Sequence, residues 1–184
     1  MDFTALGISG CFRVVQDEHV DDRGNFVRIW CAREFAAAGL SAELAQCSIA
    51  VNRHRGTLRG LHYQTAPYEE AKLVSCIKGA IYDVVVDLRP DSPSYLRWIG
   101  MELREDSRDM IYVPPGCAHG YQTLVDDARL AYYIGSYYEP SASRGVRYDD
   151  PTFSIEWPLP ISLISDRDKG YPDYLAHGFD GDAS

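Results

Sequence analysis

Apolar residues along this chain recur in short runs, not in long helical stripes. KLVSCIKGAIYDVVVDLR, starting at Lys72, holds two apolar-rich runs broken by Lys78-Gly79, a pair that predicts a hairpin turn. SIAVNRHRGTL from Ser48, YLRWIGMEL from Tyr95, DMIYVP from Asp109 and ARLAYYIGSYY from Ala128 are further β-branched and aromatic runs. RPDSPS, PPG and VDDA punctuate them as turns. The one helical stretch is CAREFAAAGL from Cys31, with Gly39 as its stop. Many short, closely spaced strands predict a sandwich, barrel or jelly roll. A parallel α/β fold would need repeated long helices. In IYDVVVDL, Ile81, Asp83, Val85 and Asp87 share one face, and Tyr82, Val84, Val86 and Leu88 the other. On pattern alone the Asp-bearing face belongs to solvent, the alternative being a polar cavity.

Length and composition narrow this picture without redirecting it. The 184 residues suit one well-buried domain, with a core over roughly 10–170 and a polar C-terminal tail, HGFDGDAS. No apolar run approaches the ~18 residues of a membrane span. MDFTALGISGCFRVV lacks the basic start and apolar core of a signal peptide, so a cytoplasmic location is expected. Cys11, Cys31, Cys47, Cys76 and Cys117 are odd in number and show no Cys-x-x-Cys spacing, which argues for reduced, mostly buried thiols over disulfides or a zinc ribbon. The net charge of −9 disfavours nucleic acid or an anionic membrane as partner. It still allows a small anionic ligand, because basic residues cluster: Arg53, His54, Arg55 and Arg59 in one segment, Arg23 and Arg28 in another. Taken singly, each reads as a solvated surface residue. RGLHYQTAPYEEAK, from Arg59 to Lys72, adds a histidine and a lysine to one such arginine within a short span.

Seven segments, in order, carry a resemblance. They are DDRGNF from Asp21, GTLRGLHYQ from Gly56, AKLVSCIKGAIYDVVVDLRPDSPSY from Ala71, VPPGCAHGYQTL from Val113, YYIGSYYEP from Tyr132, GVRYDDP from Gly145 and EWPLPISLISDRD from Glu156. No one of them is decisive; the ordered set resembles the dTDP-4-dehydrorhamnose 3,5-epimerase family. The resemblance implies an all-β, cupin-like jelly roll (a double-stranded β-helix) with a few short helices. It implies an isomerase that epimerises a nucleotide-diphosphate 4-keto-6-deoxyhexose with no metal and no redox cofactor. It also implies a homodimer in which an N-terminal strand crosses to the partner, so that Arg23 would serve the neighbour's site.

The C–H bonds beside a ketone are acidic, so inversion there needs a base, an acid on the opposite face and a group that holds the enolate oxygen. By the resemblance, His62 is the base, Asp168 the carboxylate that orients it, Lys72 the enolate-stabilising cation and Tyr132 the phenol that reprotonates. The resemblance makes His119 a binding histidine, with Asp83 able to orient it, and Arg59 a phosphate clamp. TAPYEE reads as a plain connection. Arg23, Gln46, Ser48, Tyr138 (with Tyr137 as neighbouring candidate) and Arg167 match substrate-binding positions. Arg28 and Ser143 stand where the family pattern carries glutamates, and Arg167 stands for a lysine. An acid-to-arginine change reverses the charge offered to the ligand, so two outcomes stand side by side: altered nucleotide, sugar or position specificity, or an Arg28 that points elsewhere while a neighbouring residue reads the base.

Three rival readings use the same residues. A metal cupin would need His-x-His, but Tyr63 and Gln64 follow His62, and Glu69 or Glu70 with His119 is a poor ligand set. A sugar-nucleotide ketoisomerase would use the same enolate and move the carbonyl. A non-catalytic sugar-nucleotide-binding cupin would not need acid and base together.

Overall fold

A computed structural model describes residues 1–174; the tail HGFDGDAS lies outside them. In chain order the elements are β1 (Asp2–Ala5), β2 (Phe12–Val15), β3 (Glu18–Asp21), β4 (Gly24–Val27), α1 (Ala32–Ala37), β5 (Gln46–Val51), β6 (Leu58–Gln64), β7 (Lys72–Lys78), β8 (Ala80–Asp87), β9 (Trp98–Arg104), β10 (Asp109–Val113), β11 (Cys117–Thr123), β12 (Arg129–Ile134), β13 (Ser143–Gly145) and α2 (Asp166–Lys169). One antiparallel sheet has the order β1-β2-β10-β7-β12-β5, and a second has β13-β6-β11-β8-β9. Their inner faces pack together as a cupin-like jelly roll. Val74, Cys76, Ile111, Val113 and Leu130 of the first meet Ile81, Val85, Leu103, Cys117 and Tyr121 of the second. Each fully buried side chain of this size contributes ~1.5–3 kcal/mol.

Both outer faces are covered as well. Phe35 of α1 packs edge-on to Phe3, with ring centroids 5.2 Å apart, and seals Leu73, Met110 and Tyr112. The helix ends at Gly39 with φ +73°, as its sequence predicts. On the other side Val146 and Phe153, with Ile155, Trp157 and Tyr174, cover Val84, Val86 and Leu88.

Two local expectations are corrected. Lys78-Gly79 is a turn, with Gly79 at φ +78°, but it does not join a hairpin. β7 pairs with β10 and β12 while β8 pairs with β11 and β9, so the chain crosses between sheets there. Turn chemistry is local, and the choice of partner strand is not. Nor does the Asp-bearing face of β8 meet solvent: Asp83 and Asp87 are both fully buried, because that face, with Ile81 and Val85, turns inward to the six-stranded sheet. Asp87 is compensated by Arg89 Nε and Nη2, each at 2.8 Å, and by the hydroxyls of Ser92 at 2.5 Å and Ser94 at 2.6 Å.

The β3–β4 hairpin is a separate two-stranded sheet and pairs with neither main sheet. It leaves Val20 74% and Phe26 68% exposed. No helix among the described residues is long and apolar enough to cross a membrane.

Candidate active site

A cavity of about 330 Å³ opens between the two sheets. The six-stranded sheet lines it with Gln46 and Ser48 of β5, Lys72 of β7, and Tyr132 and Ile134 of β12. The five-stranded sheet supplies Arg59, His62 and Gln64 of β6, His119 and Tyr121 of β11, and Ser143 of β13. Glu70, Tyr138 and Arg167 complete the rim.

His62 lies directly opposite His119 across the β6–β11 pair, next to a register shift between His119 and Tyr121. There the strands come very close. Gly60 has φ +124°, and a Cβ on it would sit 2.5 Å from Gly120 Cα, so only glycine fits. The Gly60 amide donates to Asp168 Oδ2 at 3.2 Å, and His62 Nε2 contacts Asp168 Oδ1 at 2.7 Å. Asp168 is delivered by α2, whose N-cap Ser165 accepts from the Asp168 amide at 3.1 Å. Burial pushes the Asp168 carboxyl up. The hydrogen bond and charge of His62, with the Gly60 and Ser165 contacts, outweigh that and hold it below the usual carboxylate range. An ionised Asp168 fixes the imidazole with its Nε2 side engaged and leaves Nδ1 for chemistry.

The second histidine is arranged in the same way, but its carboxylate partner shifts in the opposite direction. His119 Nε2 lies 2.8 Å from Asp83 Oδ2, and both side chains are buried. Burial dominates at Asp83 and holds its carboxyl above the ordinary range, against the pull of His119 and Lys72. Asp83 Oδ1 has no hydrogen-bond partner, consistent with that cost. The His119 ring meets Tyr132 edge-on at 5.9 Å. Burial, with Tyr121 and Asp83 nearby, pushes the Tyr132 phenol well above its ordinary value, so it is a neutral O–H donor at pH 7.

The remaining polar groups divide between the cavity and the outer surface. Lys72 Nζ pairs with Glu70 Oε1 at 2.8 Å and donates to the His62 carbonyl at 3.3 Å. Arg59 Nε and the Tyr121 hydroxyl both donate to Asn52 Oδ1, at 2.9 and 3.0 Å. Arg167 donates to Ser143 Oγ at 2.9 Å, and the Tyr138 amide donates to Gln46 Oε1 at 2.8 Å. Tyr138 lines the cavity and Tyr137 does not. The fold therefore gathers ten of the twelve site residues expected from the sequence: nine line the cavity and Asp168 sits behind His62. Arg23 and Arg28 stay away from the cavity of their own chain. Arg23 is on the exposed β3–β4 hairpin beside Asp21, and Arg28 pairs with Glu34 at 3.4 Å.

Reading TAPYEE as a plain connection missed Glu70. Gln64, Asn52 and Tyr121 were missed as well. Only Gln64 and Glu70 had a visible signal, namely buriable polar side chains within two residues of His62 and Lys72. Among the described residues, no group of three or more His, Cys, Asp or Glu side chains could hold a metal ion.

Comparison with known proteins points to one family. The family model described as dTDP-4-dehydrorhamnose 3,5-epimerase matches residues 5–176. A dTDP-4-dehydrorhamnose 3-epimerase of Streptomyces niveus is 39% identical over 165 residues, covering 89% of this chain and 79% of its own length. A dTDP-4-dehydrorhamnose 3,5-epimerase of Shigella flexneri is 37% identical over 149 residues, covering 80% and 82%. The crystal structure of a dTDP-4-dehydrorhamnose 3,5-epimerase from Elizabethkingia anophelis superposes with a TM-score of 0.91 at 32% identity, covering 95% of this chain and 96% of that one.

Proposed function

The chain belongs to the dTDP-4-dehydrorhamnose 3,5-epimerase family and is a carbohydrate epimerase, and from that premise we propose how its cavity works. The substrate is a nucleoside-diphosphate 4-keto-6-deoxyhexose held between the two sheets. The observation that carries this reading is that His62 and Tyr132 enter one cavity from opposite sheets, so a sugar between them meets a base on one face and an acid on the other.

His62 Nδ1 takes the proton from a carbon beside the ketone. The C–H electron pair becomes a C=C bond, and the carbonyl pair moves to oxygen as an enolate. The Lys72 ammonium holds that oxygen, while Asp168 steadies the imidazolium. The Tyr132 O–H then delivers a proton to the opposite face as the carbonyl reforms. The imidazolium and the phenolate return to their starting states by exchange with water. Arg59 and Arg167 are placed to receive the diphosphate, and Tyr138 to stack on the base. Relatives are named both as 3-epimerase and as 3,5-epimerase, so the number of centres inverted is the quantity the exchange experiment reads.

The chain also has the parts of a homodimer. The β3–β4 hairpin exposes Val20 and Phe26, and the edge strand β5 exposes Ile49 and Val51. A partner that covers these surfaces would receive Arg23 from the hairpin.

Proton NMR of dTDP-4-keto-6-deoxyglucose in heavy water tests the reading. Loss of signal at carbons 3 and 5 marks a double epimerase, and loss at one marks a mono-epimerase. A folded protein that exchanges neither, on this or on the CDP, UDP and GDP analogues, refutes catalysis. His62→Ala should abolish exchange and keep most of the affinity for dTDP; unchanged exchange would remove His62 as the base.

A further inference from the structure

Glu70 closes the loop that precedes β7, and nothing in the proposed chemistry uses it. Yet its carboxylate and the Lys72 ammonium form a pair whose side chains are only 11% and 9% exposed. The other oxygen, Oε2, accepts from Gln64 Nε2 at 3.1 Å. Gln64 is itself buried, and its amide is fully committed. Its two N–H bonds are shared among Glu70 Oε2 and the carbonyls of Tyr68 at 2.8 Å and Tyr137 at 3.1 Å. Its Oε1 accepts from the Glu139 amide at 2.6 Å. A continuous set of contacts thus runs from Lys72 through Glu70 and Gln64 to the residues on either side of Tyr138.

Donor counting shows what this achieves. A lysine ammonium has three N–H donors and a flexible four-carbon stem. At Lys72 one donor goes to Glu70 Oε1 and one to the His62 carbonyl. With two directions taken, the third is fixed, and Lys72 lines the cavity. We propose that Glu70 is a positioning residue that aims the remaining Lys72 donor at the ligand's carbonyl oxygen, and that Gln64 ties this aim to the segment carrying Tyr138. The inference rests on the epimerase reading for the identity of that oxygen. It goes beyond that reading by assigning work to Glu70 and Gln64.

Two measurements test it, one independent of substrate. In nitrogen-15 spectra, hydrogen-bonded lysine ammonium groups exchange slowly with water, so Lys72 should give a resolved ammonium signal in the unmodified protein. Glu70→Gln, nearly isosteric, should broaden that signal away. In the heavy-water exchange assay, E70Q should lower kcat by about 10–100-fold, as for a displaced oxyanion donor, and leave KM within about threefold. Gln64→Glu repels Glu70 and loses the Tyr137 contact, so it should lower kcat and raise KM together. The proposal is overturned by no protected Lys72 signal in the unmodified protein, which requires no variant to fold. It is equally overturned by an E70Q protein with kcat within twofold of the unmodified one, or with kcat and KM changed in equal proportion. If the unmodified protein exchanges no hydrogen on any nucleotide sugar but the Lys72 signal is present and is lost in E70Q, the epimerase reading fails and the positioning of Lys72 by Glu70 stands.

Discussion

Asp168 and Asp83 each face an imidazole, at 2.7 and 2.8 Å, yet their carboxyls shift in opposite directions. The difference is in what surrounds each carboxylate. Asp168 gains a backbone N–H from Gly60 and the Ser165 contact, whereas Asp83 Oδ1 is left without a partner in the core. The first is therefore a dependable anion beside a base, and Asp168→Asn should reduce exchange by about 10²–10⁴-fold, measured as deuterium uptake. A loss below threefold would deny Asp168 that role. The same shifts set the acid response. The carboxyls of Asp168 and Asp87 are both depressed on folding. Their stabilisation is present above the ordinary carboxylate range and is lost as pH falls through their lowered folded values. Asp83 is raised, so its contribution has the opposite sign: present at low pH and lost as pH rises through its raised value. At pH 7, Asp87→Asn should cost roughly 2–4 kcal/mol by denaturant titration, because the partly exposed Arg89 and the two hydroxyls lose the buried charge they contact. That deficit should shrink as the pH is lowered below the carboxylate range. A deficit independent of pH would place the effect in packing.

At the scale of elements, β6 and β11 are held so close by Gly60 and Gly120 that they place His62, His119 and the Asp168 contact together. Gly60→Ala meets both a positive φ and a backbone atom 2.5 Å away, so the strands must part. The expected cost is about 2–3 kcal/mol in stability. Exchange should fall by more than the folded fraction does, because His62 moves with β6; activity that tracks the folded fraction would contradict this. How far such geometry was legible in the sequence depends on distance along the chain. Strand content, the helix ending at Gly39 and the residues His62, Lys72, His119, Tyr132 and Asp168 were readable, through alternation and the ordered motifs. That Lys78-Gly79 crosses between sheets was not, since β7 and β8 each choose partners far away in sequence. Neither was the burial of Asp83 and Asp87, which needs the six-stranded sheet packed against their face of β8. The contact of His62 with Asp168 spans 106 residues, and no local pattern encodes it. The nearness of Glu70 to Lys72 in sequence is a weak signal, because a Glu in a Pro-bearing loop looks solvated until the fold brings it against Lys72.

For the whole molecule, the decisive question is whether one chain completes its own site. The protein carries a net charge of −9, yet Arg59, Lys72 and Arg167 converge on the cavity, with Glu70 as the one acidic side chain lining it among the described residues. Arg23 could add a fourth cation, but its side chain is 90% exposed on a hairpin that joins neither sheet. In a two-fold dimer such a hairpin would lie on the partner, and complementation separates that arrangement from a monomeric one. Arg23→Ala and His62→Ala should each lower exchange at least tenfold. Mixed in equal amounts and allowed to exchange subunits, half the dimers are hybrids. Each hybrid has one site with an intact His62 from one chain and an intact Arg23 from the other. Activity should then recover to about a quarter of that of the unmodified protein, as two-fold symmetry requires. If Arg23 serves its own chain, every site in every hybrid lacks one residue and mixing restores nothing. Recovery would also account for the apolar exposure of Val20 and Phe26, since the hairpin that carries Arg23 would bury them against the neighbouring subunit.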